Sequence, residues 1–160
     1  RMIGEFHVVF ADSLHRRLPV IGMNLHQAVT LASIVEGEAR IPEERPIISA
    51  VFQRRLDFDR RLQSCATVEY ALGVHKKRLT NADLQVDSRF NTYRYRGLPP
   101  GPIGNPGRAS IMATLFPADT EFLYFVARGD GGHIFSHTNK EHEKAKRALR
   151  LERRRDRLAN

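Results

Sequence analysis

A single cysteine, Cys65, stands in the 160 residues. That excludes an internal disulfide framework and any multi-cysteine zinc site. No stretch approaches the roughly 20 apolar residues that a spanning helix needs, so these residues are not expected to cross a membrane. The seven histidines follow no metal-ligand spacing, and neither a metal nor another cofactor is expected. There is no G-x-S-x-G elbow, no P-loop and no G-x-G-x-x-G after a strand. Internal repeats and low-complexity segments are absent as well. What is present is ordinary for a globular chain: 41% hydrophobic and 28% charged residues, with Phe, Ile, Leu and Val spread throughout, which argues against disorder. The length suits one domain with a real core, expected over 1–160. The first residue is Arg1 rather than Met, so the chain is expected to be a piece of a longer protein.

Charge is uneven. With 26 Lys and Arg against 18 Asp and Glu, the formal net charge is +8. Between Lys140 and Arg157 stand nine bases against Glu141, Glu143, Glu152 and Asp156, so this stretch carries most of the excess. A basic chain invites a nucleic-acid reading, but confinement of the charge to one stretch favours a solvated terminal helix over 139–160. Thr138 with Glu141 would cap it, and Ala145, Ala148, Leu149 and Leu151 would give it a thin apolar stripe. No nucleic-acid partner is expected.

The rest reads as helices followed by a small antiparallel element, an α+β chain. Met2–Leu14 has helical spacing, and 1–23 forms a helix and connector ahead of a core over 24–138. Asn24 with Gln27 caps a helix to about Arg40, enclosed on most sides between Val29 and Val35. Pro42 and Pro46 frame a third helix with a stripe of Ile47, Ile48, Val51, Phe52 and Leu56. Shorter pieces follow at Leu62–Ser64, at Thr67–Leu72 and from Thr80 with Asp83. Asn105-Pro106 opens a helix through Phe116, and Phe122–Ala127 and His133–His137 form a hairpin whose first strand is buried. Between them, Asp87–Gly107 is a long passage without clear structure. Loops of that length in a compact domain tend to be functional, and its Tyr, Asn, Thr and Ser side chains suit the floor of a groove.

One acid stands out. Glu36 falls on the face of Leu25, Ala28, Val29, Ala32 and Ala39, four residues after Ala32, so it is either desolvated or looks into a cleft. Desolvation raises a carboxyl pKa, and a proton-holding Glu can serve as the general acid of glycosidic cleavage. The plain alternative is an ion pair with Arg54 or Arg55. Glu38 points elsewhere and reads as a salt bridge or a helix contact. His133 shares a strand face with Phe135 and is more often structural at such a position. Cys65 is expected to be buried and inert.

Leu31-Ala32-Ser33-Ile34-Val35-Glu36-Gly37-Glu38-Ala39 resembles the catalytic-helix signature of the endolytic murein transglycosylases, the MltG or YceG-like family. Further blocks agree in order: Val51-Phe52 with Arg55-Leu56, Leu62-Gln63-Ser64 with Thr67-Val68 and Tyr70-Ala71-Leu72, and Asp87-Ser88 with Asn91-Thr92-Tyr93. The agreement continues through Gly97-Leu98-Pro99-Pro100-Gly101-Pro102-Ile103, Asn105-Pro106-Gly107, Tyr124-Phe125-Val126-Ala127, Gly132-His133 with Phe135, and Glu141-His142. Two places depart: Gln63-Ser64-Cys65-Ala66-Thr67 stands where the family has Gln-Ser-Asp-Pro-Thr, and Arg54-Arg55-Leu56 where it has Asn-Arg-Leu.

The resemblance implies a lysozyme-like catalytic domain that cleaves the MurNAc–GlcNAc bond within peptidoglycan strands and leaves 1,6-anhydro-MurNAc ends. Glu36 would be acid and then base. Gln63, Ser64, Asn91, Thr92 and Tyr93 are the candidates for gripping the sugars, with Glu38, Arg55 and His133 as secondary candidates. Peptidoglycan strands are the expected partner, joined by cell-wall synthesis proteins. The expected location is the extracytoplasmic side of the cytoplasmic membrane, reached through an anchor and a LysM-like region preceding these residues. A non-catalytic peptidoglycan-binding or scaffolding module and a lysozyme-like hydrolase are the competing readings.

Overall fold

A computed structural model describes residues 14–76 and 79–159. Its elements are helices α1 (Leu14–Arg17), α2 (Leu25–Glu38), α3 (Arg45–Asp57), α4 (Cys65–Leu72), α5 (Arg108–Leu115) and α6 (Asn139–Ala159), with strands β1 (Tyr124–Ala127) and β2 (His133–Ser136) between the last two helices. Short 3-10 turns lie at Pro42–Glu44 and Asp83–Gln85. The strands pair antiparallel in the register Tyr124–Ser136 to Ala127–His133. The α+β expectation therefore holds. The helix expected over Met2–Leu14 lies outside the described residues apart from Leu14.

Local chemistry sets the helix ends. The Asn24 side chain accepts the N–H of Gln27, and the Gln27 side chain accepts the N–H of Asn24, each at 2.9 Å, a reciprocal cap that starts α2. Thr138 and Glu141 do the same for α6. That helix is solvated as expected: residues 150–158 are exposed, and of its apolar stripe only Leu149 is buried while Leu151 is 59% exposed. Two features differ from expectation. Helix α5 begins at Arg108 with Gly107 as its N-cap, not at Asn105-Pro106. The hairpin is half-buried rather than enclosed, because α6 and α3 cover it on part of its surface.

Helix α2 is the centre of the core. On one side Ala28 and Ala32 pack with Leu14, Leu18, Ile111 and Leu115. On the other, Leu31, Ile34 and Val35 pack with Ile48, Phe52 and Leu62. Every residue from Thr30 to Val35 is buried, and the hydroxyls among them are spent inside: Thr30 Oγ1 donates to the His26 carbonyl and Ser33 Oγ to the Thr30 carbonyl, both at 2.7 Å. Close approach to α4 depends on a missing side chain. A Cβ at Gly37 would lie 2.8 Å from Ala66 Cβ, and neither atom belongs to a flexible chain that could give way.

Two outcomes test this packing. Gly37→Ala should lower stability by about 1–2 kcal/mol net, despite the roughly 1 kcal/mol that alanine usually gains over glycine in a helix. Adding Ala66→Gly should restore most of the loss, and denaturant melts showing no recovery would contradict the contact. At the 3-10 turn, Lys76 Nζ donates to Asp83 Oδ1 at 2.6 Å, while the Thr80 N–H and hydroxyl both donate to Oδ2 at 2.8 Å. Lys76 first, then the two Thr80 donors, hold the Asp83 carboxyl down from 3.8 to about 2. A depressed carboxylate adds stability above its ordinary value and loses it as pH falls through the lowered one. The melting-temperature advantage of wild type over Asp83→Asn should therefore be full above about pH 4 and shrink toward about pH 2; a pH-independent gap would contradict it.

Candidate active site

The core lets α2 go at its last turn. Glu36 and Gly37 are exposed, Glu38 is half-buried and Ala39 is buried again. Desolvation of Glu36 is thus corrected. Ala28, Ala32 and Ala39 do sink into the core, but Leu25, at the other end of the same face, is 41% exposed, and the stripe loses its cover at both ends. At the Glu36 end, the alternative reading holds: the side chain looks into a cleft of about 570 Å³. Ser33, Glu36 and Gly37 form one wall, Ala66, Glu69 and Tyr70 of α4 another, and Ile103–Asn105 a third.

Glu36 is held from behind. The fully buried Ser110, in the first turn of α5, donates its hydroxyl to Glu36 Oε2. A Cβ at Gly107 would lie 3.8 Å from the same oxygen, so the carboxylate abuts the N-terminal end of α5, where unpaired N–H groups give the helix its positive pole. Ion pairing with Arg54 or Arg55 is not what the structure contains. The third wall is tied to the same helix: the Ile103 N–H donates to Ser33 Oγ at 3.0 Å, and His26 Nε2 lies 2.9 Å from the Pro100 carbonyl.

The neighbouring acid does a different job. Glu38 Oε1 accepts the Ser64 hydroxyl at 2.5 Å and the Ala66 N–H at 3.3 Å, fastening the start of α4 to the end of α2. Ala66 stands where the family pattern has proline, which has no N–H to give, so this departure adds a bond to Glu38. Glu69 is the other acid lining the cleft, and its Oε2 lies 3.1 Å from His75 Nδ1.

The remaining candidates separate into two groups. Ser64, Asn91 and Thr92 are almost wholly enclosed and bond one another's loops. Asn91 Nδ2 donates to the carbonyls of Leu84 and Val86, at 3.0 and 2.8 Å. Thr92 Oγ1 accepts the Ser64 N–H at 3.0 Å and lies 2.8 Å from Thr67 Oγ1. Tyr93 is half-buried with its hydroxyl 3.3 Å from Cys65 Sγ, and burial pushes that hydroxyl well above its ordinary pKa. Cys65 itself is exposed, not buried as expected, because it opens α4 at the surface. Gln63 is exposed and Arg55 is buried beneath it, its Nη1 donating to Gln63 Oε1 at 3.1 Å. His133 lies apart from Glu36, its Nδ1 2.6 Å from Glu44 Oε2 and its N–H donating to Glu44 Oε1 at 3.0 Å. It does share a face with Phe135, both rings lying 6.1 Å apart beside Phe125.

Sequence reasoning passed over Ser110, Glu69 and Glu44. Nothing in the local pattern marks Ser110, which meets Glu36 across 74 positions. The long loop does line the cleft, but through Ile103–Asn105 rather than Asn91–Tyr93.

Comparison with known proteins supplies the family. The YceG-like family is matched by residues 1–148. An endolytic murein transglycosylase of Bacillus subtilis is 45% identical over 124 residues, which is 78% of this chain and 34% of that protein. One of Streptococcus pneumoniae is 33% identical over 124 residues, 74% of this chain and 22% of that protein. The crystal structure of a yceG-like protein from Listeria monocytogenes superposes with a TM-score of 0.76 at 44% identity, over 83% of this chain and 43% of that one. The chain thus spans about a third or less of the curated relatives it matches. With most of its length matched, this chain belongs to the YceG-like family.

Proposed function

We propose that this chain is the cutting part of a peptidoglycan lytic transglycosylase, acting through Glu36. The observation that carries the reading is the setting of that one side chain: open to a cleft in front, held by the Ser110 hydroxyl behind. The relatives' names, endolytic murein transglycosylase, supply the substrate class.

In the proposed cycle, protonated Glu36 gives its proton to the oxygen joining MurNAc C1 to the next sugar. The C1–O bond breaks with its electron pair on that oxygen, and the departing sugar takes the proton. Glu36, now a carboxylate, removes the proton of the MurNAc C6 hydroxyl as that oxygen closes on C1. An anhydro ring results, Glu36 is protonated again, and water takes no part. Losing the proton is what turns the acid into the base, and the tethered nucleophile gives ring closure the advantage of an intramolecular reaction. The substrate's own N-acetyl group helps to stabilise the cationic centre. Ser110 and the pole of α5 stabilise the carboxylate that forms once the proton has left, which favours the donation half of the cycle.

Ser64, Asn91, Thr92 and Glu38 are proposed as positioning residues that keep α4 and the loop in register with Glu36, and Gln63 and Tyr93 as the candidates nearer the glycan. On the same proposal the chain works outside the cytoplasmic membrane, beside cell-wall synthesis proteins. A second reading has its own observation. Glu69 lies in the same cleft, and a hydrolase uses two carboxylates, about 5–9.5 Å apart. Its pairing with His75 favours a rim role instead.

Kinetics separate these readings. Release of anhydro-ended fragments should fall at least about a thousandfold in Glu36→Gln, which loses both proton steps, and about ten- to a hundredfold in Ser110→Ala, which loses one charge-assisted bond. Glu69→Gln should stay within about threefold. A Glu69→Gln loss equal to that of Glu36→Gln would favour the hydrolase, and undiminished release by Glu36→Gln would reject the assignment.

A further inference from the structure

A second concavity, of about 500 Å³, has a different chemistry. Its lining includes Arg55, Arg60, Arg61 and Arg96, with Asp59 as the one acidic residue among them. Arg96 is paired with Asp59 at 2.5 Å, and Arg60 donates to the Tyr124 hydroxyl at 2.7 Å. Arg55, 8% exposed, donates to uncharged oxygens, the carbonyls of Leu123, Arg61 and Leu62 and the Gln63 amide, and lies 5.1 Å from the centre of the Tyr124 ring. Among the described residues Arg55 has no ion-pair partner, an uncommon arrangement for a buried cation, since desolvated charges are ordinarily paired. Burial accordingly pushes the Arg55 guanidinium below its usual pKa.

Backbone strain gathers at the same place. Among the described residues, the two non-glycine positions with positive φ are Asp59, at 49°, and Gln63, at 55°, and both line this pocket. Side chains held in that region cost energy, and such positions cluster at ligand clamps. Two independent features therefore coincide: a surplus of guanidinium groups and a backbone bent to present Gln63 among them.

The pocket is also near the cleft. Gln63 lines one and Ala66 the other, and three residues span at most about 11 Å. We infer that the arginine pocket is a second substrate subsite, one that receives the carboxylate groups of the peptides hanging from the glycan strand whose backbone lies along Glu36. This rests on the glycan-cutting reading for the identity of the polymer. Arginine suits the role because its planar fork meets a carboxylate with two parallel hydrogen bonds. A pendant group gripped here would set which linkage along the strand faces Glu36.

The test measures binding, with the Glu36→Gln protein so that strands survive. Calorimetry compares glycan strands that keep their peptides, strands stripped of them, and strands whose peptide carboxylates have been amidated. Peptide-bearing strands should bind about tenfold more tightly than the other two, with the advantage shrinking as salt rises. Arg60→Gln with Arg61→Gln should erase that advantage; both side chains are exposed, so melting should confirm an intact fold. The amidated strands test the pocket without any substitution, should the double variant fold poorly. Equal binding of all three strands would overturn the subsite. So would displacement by polyphosphate from protein that does not distinguish the strands, which would point to a phosphate polymer. Anhydro-ended products from the wild-type enzyme decide the glycan-cutting reading separately, so either idea can fail alone.

Discussion

A helix enclosed on nearly every side has to leave the core somewhere, and the carboxylate proposed to do the cutting, Glu36, sits where α2 does so. From Thr30 to Val35 every side chain is buried, which fixes the axis and rotation of the helix as firmly as a small domain can. One residue later the cover ends. Glu36 then projects into open space from a base that cannot turn or slide, because Leu31, Ile34 and Val35 are locked against α3 and Leu62. A single carboxylate that must approach two different oxygens of a substrate needs that kind of fixed origin.

Around this exit, two acids two residues apart divide the work. Glu36 faces the cleft and meets α5 through Ser110; Glu38 turns toward α4 and accepts from Ser64 and Ala66. Between them Gly37 has no side chain, which lets α4 come close enough to form the opposite wall. The substitution of Cys65-Ala66 for the usual Asp-Pro leaves this joint intact and gives it one more backbone donor. The adjoining arginine pocket shares the same short connector, so the placement of Gln63 and the start of α4 affects both concavities.

Legibility in the sequence followed the range of the interaction. Asn24 with Gln27, Thr80 with Asp83 and Thr138 with Glu141 each act across three positions, and all three form as read. The enclosed run in α2 was visible as a stretch of small and apolar residues. What local pattern could not supply was where that cover stops, so it left Glu36 either desolvated or facing a cleft. Nor could it pair residues far apart in the chain: Ser110 with Glu36, Glu44 with His133, Arg55 with Leu123. Asn91 and Thr92 have the side chains of sugar-binding residues but spend their hydrogen bonds inside the protein, Asn91 on the Leu84 and Val86 carbonyls and Thr92 on Ser64 and Thr67, a choice that composition alone does not reveal.

The central claim is that one carboxylate suffices because the substrate supplies its own nucleophile and water stays out of the bond-making step. Digesting peptidoglycan in water enriched in oxygen-18 tests this directly, with the released fragments weighed by mass spectrometry. The account predicts anhydro-MurNAc termini that carry no heavy oxygen. Reducing termini bearing one oxygen-18 atom each would contradict it and make the enzyme a hydrolase.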